Sequence, residues 1–267
     1  MRIVVCAKEV LDPDAVNSYA LEGRLVIGDD GRTLTQTTIP RLINAYDEQA
    51  LEAALRLRDG GLETHIAVVC AGLDPGEVLK HCAAMGADET VHVSFDPGVG
   101  DYHVAAVLLG AWIRSRGGAD LVLCGRQASD DDQGVVPALI GEALGMPVVT
   151  VARSVEVTAD GGLRVVRVTP DGDEAVELSC PAVVTISNEL GEPRYPTMAN
   201  KMAARRKQPT VVSSEELGLS VEETRPRAVL ARQFVPVIKG DCEFISADSP
   251  AAVAERLLDR LREDKVL

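Results

Sequence analysis

Between Cys124 and Gly145 the chain reads "CGRQASDDDQGVVPALIGEALG", and its residue types suit the holding of a charged ligand better than acid, base or nucleophilic catalysis. Gly125 closes an apolar run, Asp130, Asp131 and Asp132 follow, and Gly134 leads into a helical pattern opened by Pro137. Proline fits a first helical turn because its missing N–H would have no partner there. Free N–H groups and the dipole of such a helix start suit a phosphate. The three aspartates repel phosphate unless they point outward, cap the helix or bind ribose hydroxyls. A lone acidic triplet is weak evidence for a metal ion, and capping plus solvation is the plainer reading. Neither G-x-x-x-x-G-K-[ST] nor G-x-G-x-x-G occurs, which excludes the ordinary P-loop and Rossmann fingerprint.

Catalytic constellations are scarce. His65 and His92 fall in strand-like runs, His81 and His103 in helical ones, and none neighbours a candidate nucleophile in sequence. Three Phe, four Tyr and one Trp supply no stacking platform for single-stranded nucleic acid. With 27 basic and 41 acidic residues the formal net charge is −14, a field that repels nucleic acid and anionic membranes. The six cysteines (Cys6, Cys70, Cys82, Cys124, Cys180, Cys242) show no C-x-x-C pair and no histidine at ligand spacing, so no metal site is expected. Most read as small buried hydrophobes. No apolar run reaches the roughly 20 residues a bilayer span needs. The start, "MRIVVCAKEV", carries Lys8 where a secretory signal would remain apolar. A cytoplasmic binding module is expected, not a catalyst.

These residues need elements to position them. The β-branched runs "RIVVCA" (2–7), "THIAVVCA" (64–71), "ETVHVSF" (89–95) and "ADLVLCG" (119–125) alternate with helical patterns. In "AYDEQALEAALRLRDGG", Leu51, Ala54, Leu55 and Arg58 recur at i, i+3, i+4 and i+7; Asn44 with Asp47 resembles a capping box, and Gly60-Gly61 gives the stop. "DPGEVLKHCAAMGA" and "DYHVAAVLLGAWIRSRGG" behave alike. Continuous apolar strands alternating with helices imply an α/β fold whose parallel sheet is covered on both faces. Ligands bind such sheets beyond the carboxyl ends of the strands. Four such places are Cys6-Ala7-Lys8, the turn Asn44 to Asp47, Cys70-Ala71-Gly72 and the loop after Cys124.

After Gly145, strand-like runs separated by Asp-Gly-Gly and Asp-Gly-Asp predict added β-hairpins. In "EPRYPTMANKMAARRK", Pro193 and Pro196 forbid a regular helix across the first half and leave a stiff loop with an apolar tip. Four cations follow at Lys201, Arg205, Arg206 and Lys207, either as a solvated helix end or as a steering patch. Residues 1–207 therefore read as one α/β domain, which the resemblance described next makes a nucleotide-binding one. Residues 208–267 read as a C-terminal arm that packs on a partner, broken by Pro209 and Pro226 until "SPAAVAERLLDRLRED" supplies a capped helix.

The stretch "LGEPRYPTMANKMAARRK" after "CPAVVTISNE" resembles the end of the β subunit of electron-transfer flavoprotein. So do "VVCAKEVLDP", "INAYDEQALEAALRL", "AAMGADETVHV" and "LVLCGRQASDDD", in the same order over most of residues 1–207. The resemblance implies an adenine-nucleotide hydrolase-like, Rossmann-like fold and a heterodimer. An α subunit would hold most of an FAD, and this chain would add a wall and lodge AMP. Carried over residue by residue, the nucleotide contacts are Cys6, Asn44, Ala45, Tyr46, Asp47, Cys70, and Gly125, Arg126, Gln127, Ala128, Ser129, Asp130, Asp131, Asp132, Gln133, Gly134, Val135 and Val136. Tyr46 would lie beside the flavin, or be no more than a helix-start tyrosine.

The family's docking loop matches Tyr195, Pro196, Thr197, Met198, Ala199 and Asn200, with Met198 as the anchor in an apolar pocket of a flavin dehydrogenase of acyl-CoA dehydrogenase type. Electrons would pass on to a membrane quinone reductase or another acceptor. Three departures stand out. AMP-binding members carry N-Q-T-G where this chain has Gly134-Val135-Val136-Pro137. Electron-bifurcating relatives, which hold a second FAD, show a T-A-Q-V-G-P-like turn that agrees only at Val136. Pro13 stands where some members have an aromatic, and Gly191 replaces an asparagine. AMP or a second FAD, and bifurcation or simple transfer, stay open. A stand-alone adenine-nucleotide sensor of the same α/β class is the alternative.

Overall fold

The computed structural model of the chain describes residues 1–35, 38–96, 98, 100–235 and 242–267. Contacts divide it into two units, Met1–Gln233 and Phe234–Leu267.

The first unit begins with β1 (Arg2–Ala7), in which Ile3, Val4 and Val5 are fully buried. A strand covered on both faces gains from apolar residues at every position, which is why it shows no alternation. A small ribbon outside the main sheet pairs β2 (Glu9–Leu11) antiparallel with β3 (Arg41–Ile43), and α1 (Pro13–Leu21) lies between them in sequence. Next come α2 (Ala45–Asp59), β4 (His65–Gly72), α3 (Gly76–Met85) and β5 (Glu89–Ser94). After them are α4 (Tyr102–Ser115), β6 (Leu121–Gly125) and α5 (Val136–Leu144). Helix α4 starts where Asp101 accepts the Val104 N–H at 3.0 Å, and α5 ends at Gly145 in the left-handed region, which glycine enters without a Cβ clash.

The hairpins expected after Gly145 are β7 (Val148–Val157), β8 (Leu163–Thr169) and β9 (Gly172–Leu178), joined antiparallel. Then follow β10 (Ala182–Ile186), a short 3-10 turn (Asn188–Leu190), α6 (Met198–Ala204) and β11 (Thr210–Val212). Among the described residues nine strands form one sheet in the order β11-β5-β4-β1-β6-β10-β7-β8-β9, and all neighbours from β11 to β7 run parallel. This is the expected α/β architecture, with β1 in the middle of its seven parallel strands.

Two apolar layers hold the sheet. On one face Leu51, Leu55, Leu79 and Cys82 from α2 and α3 pack on Ile3, Ile66 and Leu121. On the other, Leu108, Trp112 and Ile113 of α4 and Ile140 of α5 pack on Val4, Val69 and Val122. Each buried Leu or Ile contributes roughly 1.5–3 kcal/mol, so the frame that carries the strand ends is rigid.

Two boundaries differ from expectation. The first unit continues past Lys207 to Gln233, because Thr210–Val212 adds a parallel edge to β5; three residues are too few for periodicity to reveal. Met198 does not sit on a loop tip but opens α6, where the Thr197 hydroxyl caps the helix by accepting the Asn200 N–H at 3.2 Å. The irregular stretch imposed by Pro193 and Pro196 ends one residue earlier. The second unit, of which residues 236–241 lie outside the described residues, carries α7 (Pro250–Glu263), capped by Ser249 and with no buried residue. Among the described residues no helix is long and apolar enough to cross a membrane.

Candidate functional site

The carboxyl ends of β1 and β6, the start of α2 and the loop after β6 meet at one edge of the sheet. Asp47 joins three of them: its Oδ2 accepts the Lys8 N–H at 2.8 Å and its Oδ1 accepts the Gly125 N–H at 2.8 Å. Asn44 joins the fourth, donating from Nδ2 to the Gln127 carbonyl at 2.8 Å while its Oδ1 accepts the Ser129 N–H at 3.1 Å. The expected capping box is therefore not formed. The Asn44 side chain makes no cap bond to α2, since both its polar groups are committed to the loop, and Asp47 faces the strand ends.

Burial pushes the Asp47 carboxyl up from 3.8 to about 7, against the opposing pull of the Gly125 and Lys8 amides. A buried charge is expensive, and two N–H donors offset only part of that cost. Asn44 and Asp47 thus tie the strand ends, the α2 start and the loop together. Beside them the Arg126 guanidinium lies over the Tyr46 ring, 5.1 Å from its centroid.

Gly125 is the tightest point. A Cβ there would stand 2.5 Å from Asp47 Oδ1 and 2.6 Å from Tyr46 Cβ, so the backbones of β6 and α2 approach too closely for any side chain. Gly134 has φ of 61°, and a Cβ would meet the Arg126 carbonyl at 2.9 Å. Both glycines keep the loop folded back on itself ahead of the α5 start at Val136.

The acidic triplet is balanced from within. Lys8 Nζ donates to Asp130 at 2.7 Å and to Asp131 at 3.2 Å. Burial would lower the Lys8 pKa, but Asp130 and then Asp131 more than reverse it, and the net shift is upward. Asp131 also accepts the Gln133 N–H at 3.2 Å, and Asp132 accepts from Gln127 Nε2 at 2.6 Å. Two of the three anions therefore face a cation, and the electrostatic objection to a phosphate at this edge is weakened. Sequence spacing gave no sign of the Lys8 pairing, which spans 122 and 123 positions. Among the described residues no group of three or more His, Cys, Asp or Glu is placed to hold a metal ion.

The structure brings Cys6, Asn44, Ala45, Tyr46, Asp47 and Gly125–Ser129 into one cluster, with Asp130 and Asp131 tied to it by Lys8. Cys70 lies on the adjacent β4, in register with Ala7. Both thiols are buried, Cys6 against the α4 side and Cys70 against the α2 side, so each offers a ligand its main chain, not its sulfur. Burial raises the Cys70 thiol pKa well above its ordinary value, which keeps it protonated. Val135 and Val136 open α5.

The segment from Tyr195 to Asn200 is a separate feature. Tyr195 is 82% and Met198 71% exposed, with Met202 exposed one turn on. Lys201 Nζ sits 3.9 Å from the Tyr195 ring centroid and donates to its hydroxyl at 2.7 Å. Its base is tied to α2 through Glu52, Arg56 and Arg194, residues that apolar periodicity does not single out.

Comparison with known proteins shows the family of the chain. The family described as "Electron transfer flavoprotein domain" matches residues 32–217. The chain is 34% identical over 273 residues to the caffeyl-CoA reductase-Etf complex subunit CarD of Acetobacterium woodii, covering 100% of both chains. It is 34% identical over 208 residues to the electron transfer flavoprotein subunit beta of Syntrophomonas wolfei, covering 78% of this chain and 77% of that one. With the human subunit beta the identity is 34% over 226 residues, covering 83% and 84%.

Proposed function

The chain belongs to the electron-transfer flavoprotein β-subunit family, and from that premise we propose that it is the β half of a cytoplasmic heterodimer that carries electrons between flavoproteins. The observation that carries this is the closure of Asn44 and Asp47 onto Gly125–Ser129 at the carboxyl ends of β1 and β6. In this reading that edge is a crevice in which main-chain amides grip an adenine nucleotide. Gly125 permits the close approach, the start of α5 presents N–H groups, and Lys8 holds the acidic triplet in a form that tolerates phosphate.

When bound, an FAD shared with the α subunit would supply the redox chemistry. The residues of this chain bind and orient. Tyr46, with Arg126 stacked on it, forms the wall offered to the flavin, and the buried strand ends exclude water beneath it. No side chain here need act as an acid or a base. Met198 anchors in an apolar pocket of a dehydrogenase of acyl-CoA dehydrogenase type, where an adaptable thioether gives recognition without slow release. A quinone reductase or another acceptor takes the electrons onward.

One observation favours a second reading of partner and nucleotide. CarD, matched over its whole length, is named for a reductase complex, and Val135-Val136-Pro137 lacks the threonine and amide groups expected around AMP. In that reading the crevice holds a second FAD and the complex serves a reductase. Denaturing the purified heterodimer and counting released FAD and AMP decides between them: one of each supports the carrier, two FAD the reductase-type complex. A colourless, stable monomer without affinity for FAD or adenine nucleotide overturns both.

A further inference from the structure

One face of α2 carries a polar stripe that does more than meet solvent. Gln49, Glu52, Arg56 and Asp59 follow one another at intervals of three, four and three residues, which on a 3.6-residue helix sets them in a single stripe. Every one of them bonds the segment Leu190–Arg194. Gln49 Nε2 donates to the Gly191 carbonyl at 3.3 Å; Arg56 donates to the Leu190 carbonyl at 2.8 Å and the Glu192 carbonyl at 3.2 Å. Glu52 Oε2 accepts both the Arg194 backbone N–H at 3.1 Å and its Nε at 2.7 Å, and Oε1 accepts Arg194 Nη2 at 3.3 Å and Arg56 Nε at 2.9 Å. Arg194 also reaches Asp59 at 2.7 Å.

Glu52 is the hub. It is 4% exposed, and burial pushes its carboxyl up, yet Arg194 and Arg56 outweigh that and hold it below the usual range. A buried carboxylate persists only with such partners, and taking it away would leave two guanidinium groups facing each other. The clamp ends at Arg194, one residue before Tyr195. The same helix, at its other end, grips the nucleotide loop through Asn44 and Asp47.

We propose that Glu52 is a positioning residue: with Arg194 and Arg56 it fixes the segment that presents Tyr195–Asn200, and so sets where the partner dehydrogenase docks relative to the nucleotide edge of α2. The clamp's effect on electron transfer depends on the proposed docking role of Met198; its effect on the segment does not.

The test uses the flavin-loaded heterodimer, comparing wild type with Glu52→Gln, Arg194→Lys and Met198→Ala by hydrogen–deuterium exchange and by steady-state reduction with an acyl-CoA dehydrogenase as the probe. Glu52→Gln and Arg194→Lys are expected to speed amide exchange at Tyr195–Lys201 by about tenfold or more while β1 and β6 stay protected. KM for the dehydrogenase rises several-fold in both, with kcat and flavin content held. Arg194→Lys keeps the charge and removes only the two-pronged bond, so it answers even where Glu52→Gln fails to fold. Unchanged exchange at Tyr195–Lys201, or a rise spread equally over the sheet, overturns the proposal. So does a fall in kcat at unchanged KM. If Met198→Ala leaves KM untouched while Glu52→Gln still frees the segment, the clamp stands and the docking role fails.

Discussion

Asp47 and Gly125, separated by 78 positions in the chain, meet where the glycine N–H donates to the Asp47 carboxylate at 2.8 Å. Because burial holds this carboxyl at about 7 instead of 3.8, the folded chain binds its proton more readily than the unfolded chain does. The stability this proton contributes is complete below pH 3.8 and is lost as pH climbs through about 7. Asp47→Asn does not titrate, and it leaves one of two amides without an acceptor, at about 1–3 kcal/mol. Denaturant melts should find wild type more stable than the variant at pH 5. The margin should narrow by on the order of 2 kcal/mol by pH 8. A margin independent of pH would place the titrating group elsewhere.

Gly125→Ala should do more damage than its single methyl suggests. Its Cβ would meet Asp47 Oδ1 at 2.5 Å, Tyr46 Cβ at 2.6 Å and the Tyr46 carbonyl carbon at 2.8 Å; two of the three are too near the backbone to swing aside. Overpacking of this kind costs about 1–3 kcal/mol, and here the strain falls on the crevice itself. A lowered melting temperature together with loss of bound adenine nucleotide is expected. A variant that keeps its nucleotide in full would show that the β6 end and the α2 start can part without consequence for binding.

Most of the frame was legible because a parallel strand buried on both faces reads as an unbroken apolar run, as Arg2–Ala7 and Leu121–Gly125 do, and because Asp-Gly turns announce hairpins. Of the four places named from topology, Cys6-Ala7-Lys8, Asn44 to Asp47 and the loop after Cys124 meet through Asp47 and Asn44, whereas Cys70 lies on the adjacent β4. What spacing could not reveal are bonds between distant residues. Asn44 and Asp47 carry a capping signature, yet their side chains serve Gln127, Ser129, Lys8 and Gly125. Lys8 reads as a strand-end charge, and only folding brings it to Asp130. The 49-52-56-59 stripe on α2 keeps helical spacing, but it is polar, and apolar periodicity marks only the core-facing positions such as Leu51 and Leu55.

Lys8→Met separates binding from stability. The pair is partly exposed, with side-chain exposures of 40% for Lys8 and 34% for Asp130, so its loss should cost the fold no more than about 1 kcal/mol. Under the proposed function, a nucleotide bound at this edge would face a different balance, because without Lys8 the carboxylates of Asp130 and Asp131 would stand uncompensated near its phosphate. Calorimetric titration with the nucleotide that the denatured complex releases should show affinity reduced by about tenfold, and the loss should shrink as added salt screens the exposed carboxylates. Equal affinity in variant and wild type would mean that the phosphate does not sense the triplet.

The chain should be cut after Gln233 and not after Lys207, because the earlier cut removes β11 from the edge of β5. In the removed piece, α7 is held locally by the Ser249 cap and by Arg260 on Glu243 at 3.0 Å, yet it buries no residue, and Leu257 and Leu258 are 45% and 43% exposed. A helix of this length is marginal in water on its own, so its apolar side is suited to packing on the α subunit. Residues 1–233 should therefore fold with a melting temperature close to that of the whole chain and keep the adenine nucleotide, but fail to copurify with the α subunit and so lack the yellow flavin. A truncated chain that still captures its partner would place the subunit interface wholly within the first unit, and one that loses the nucleotide would put part of the crevice in the arm.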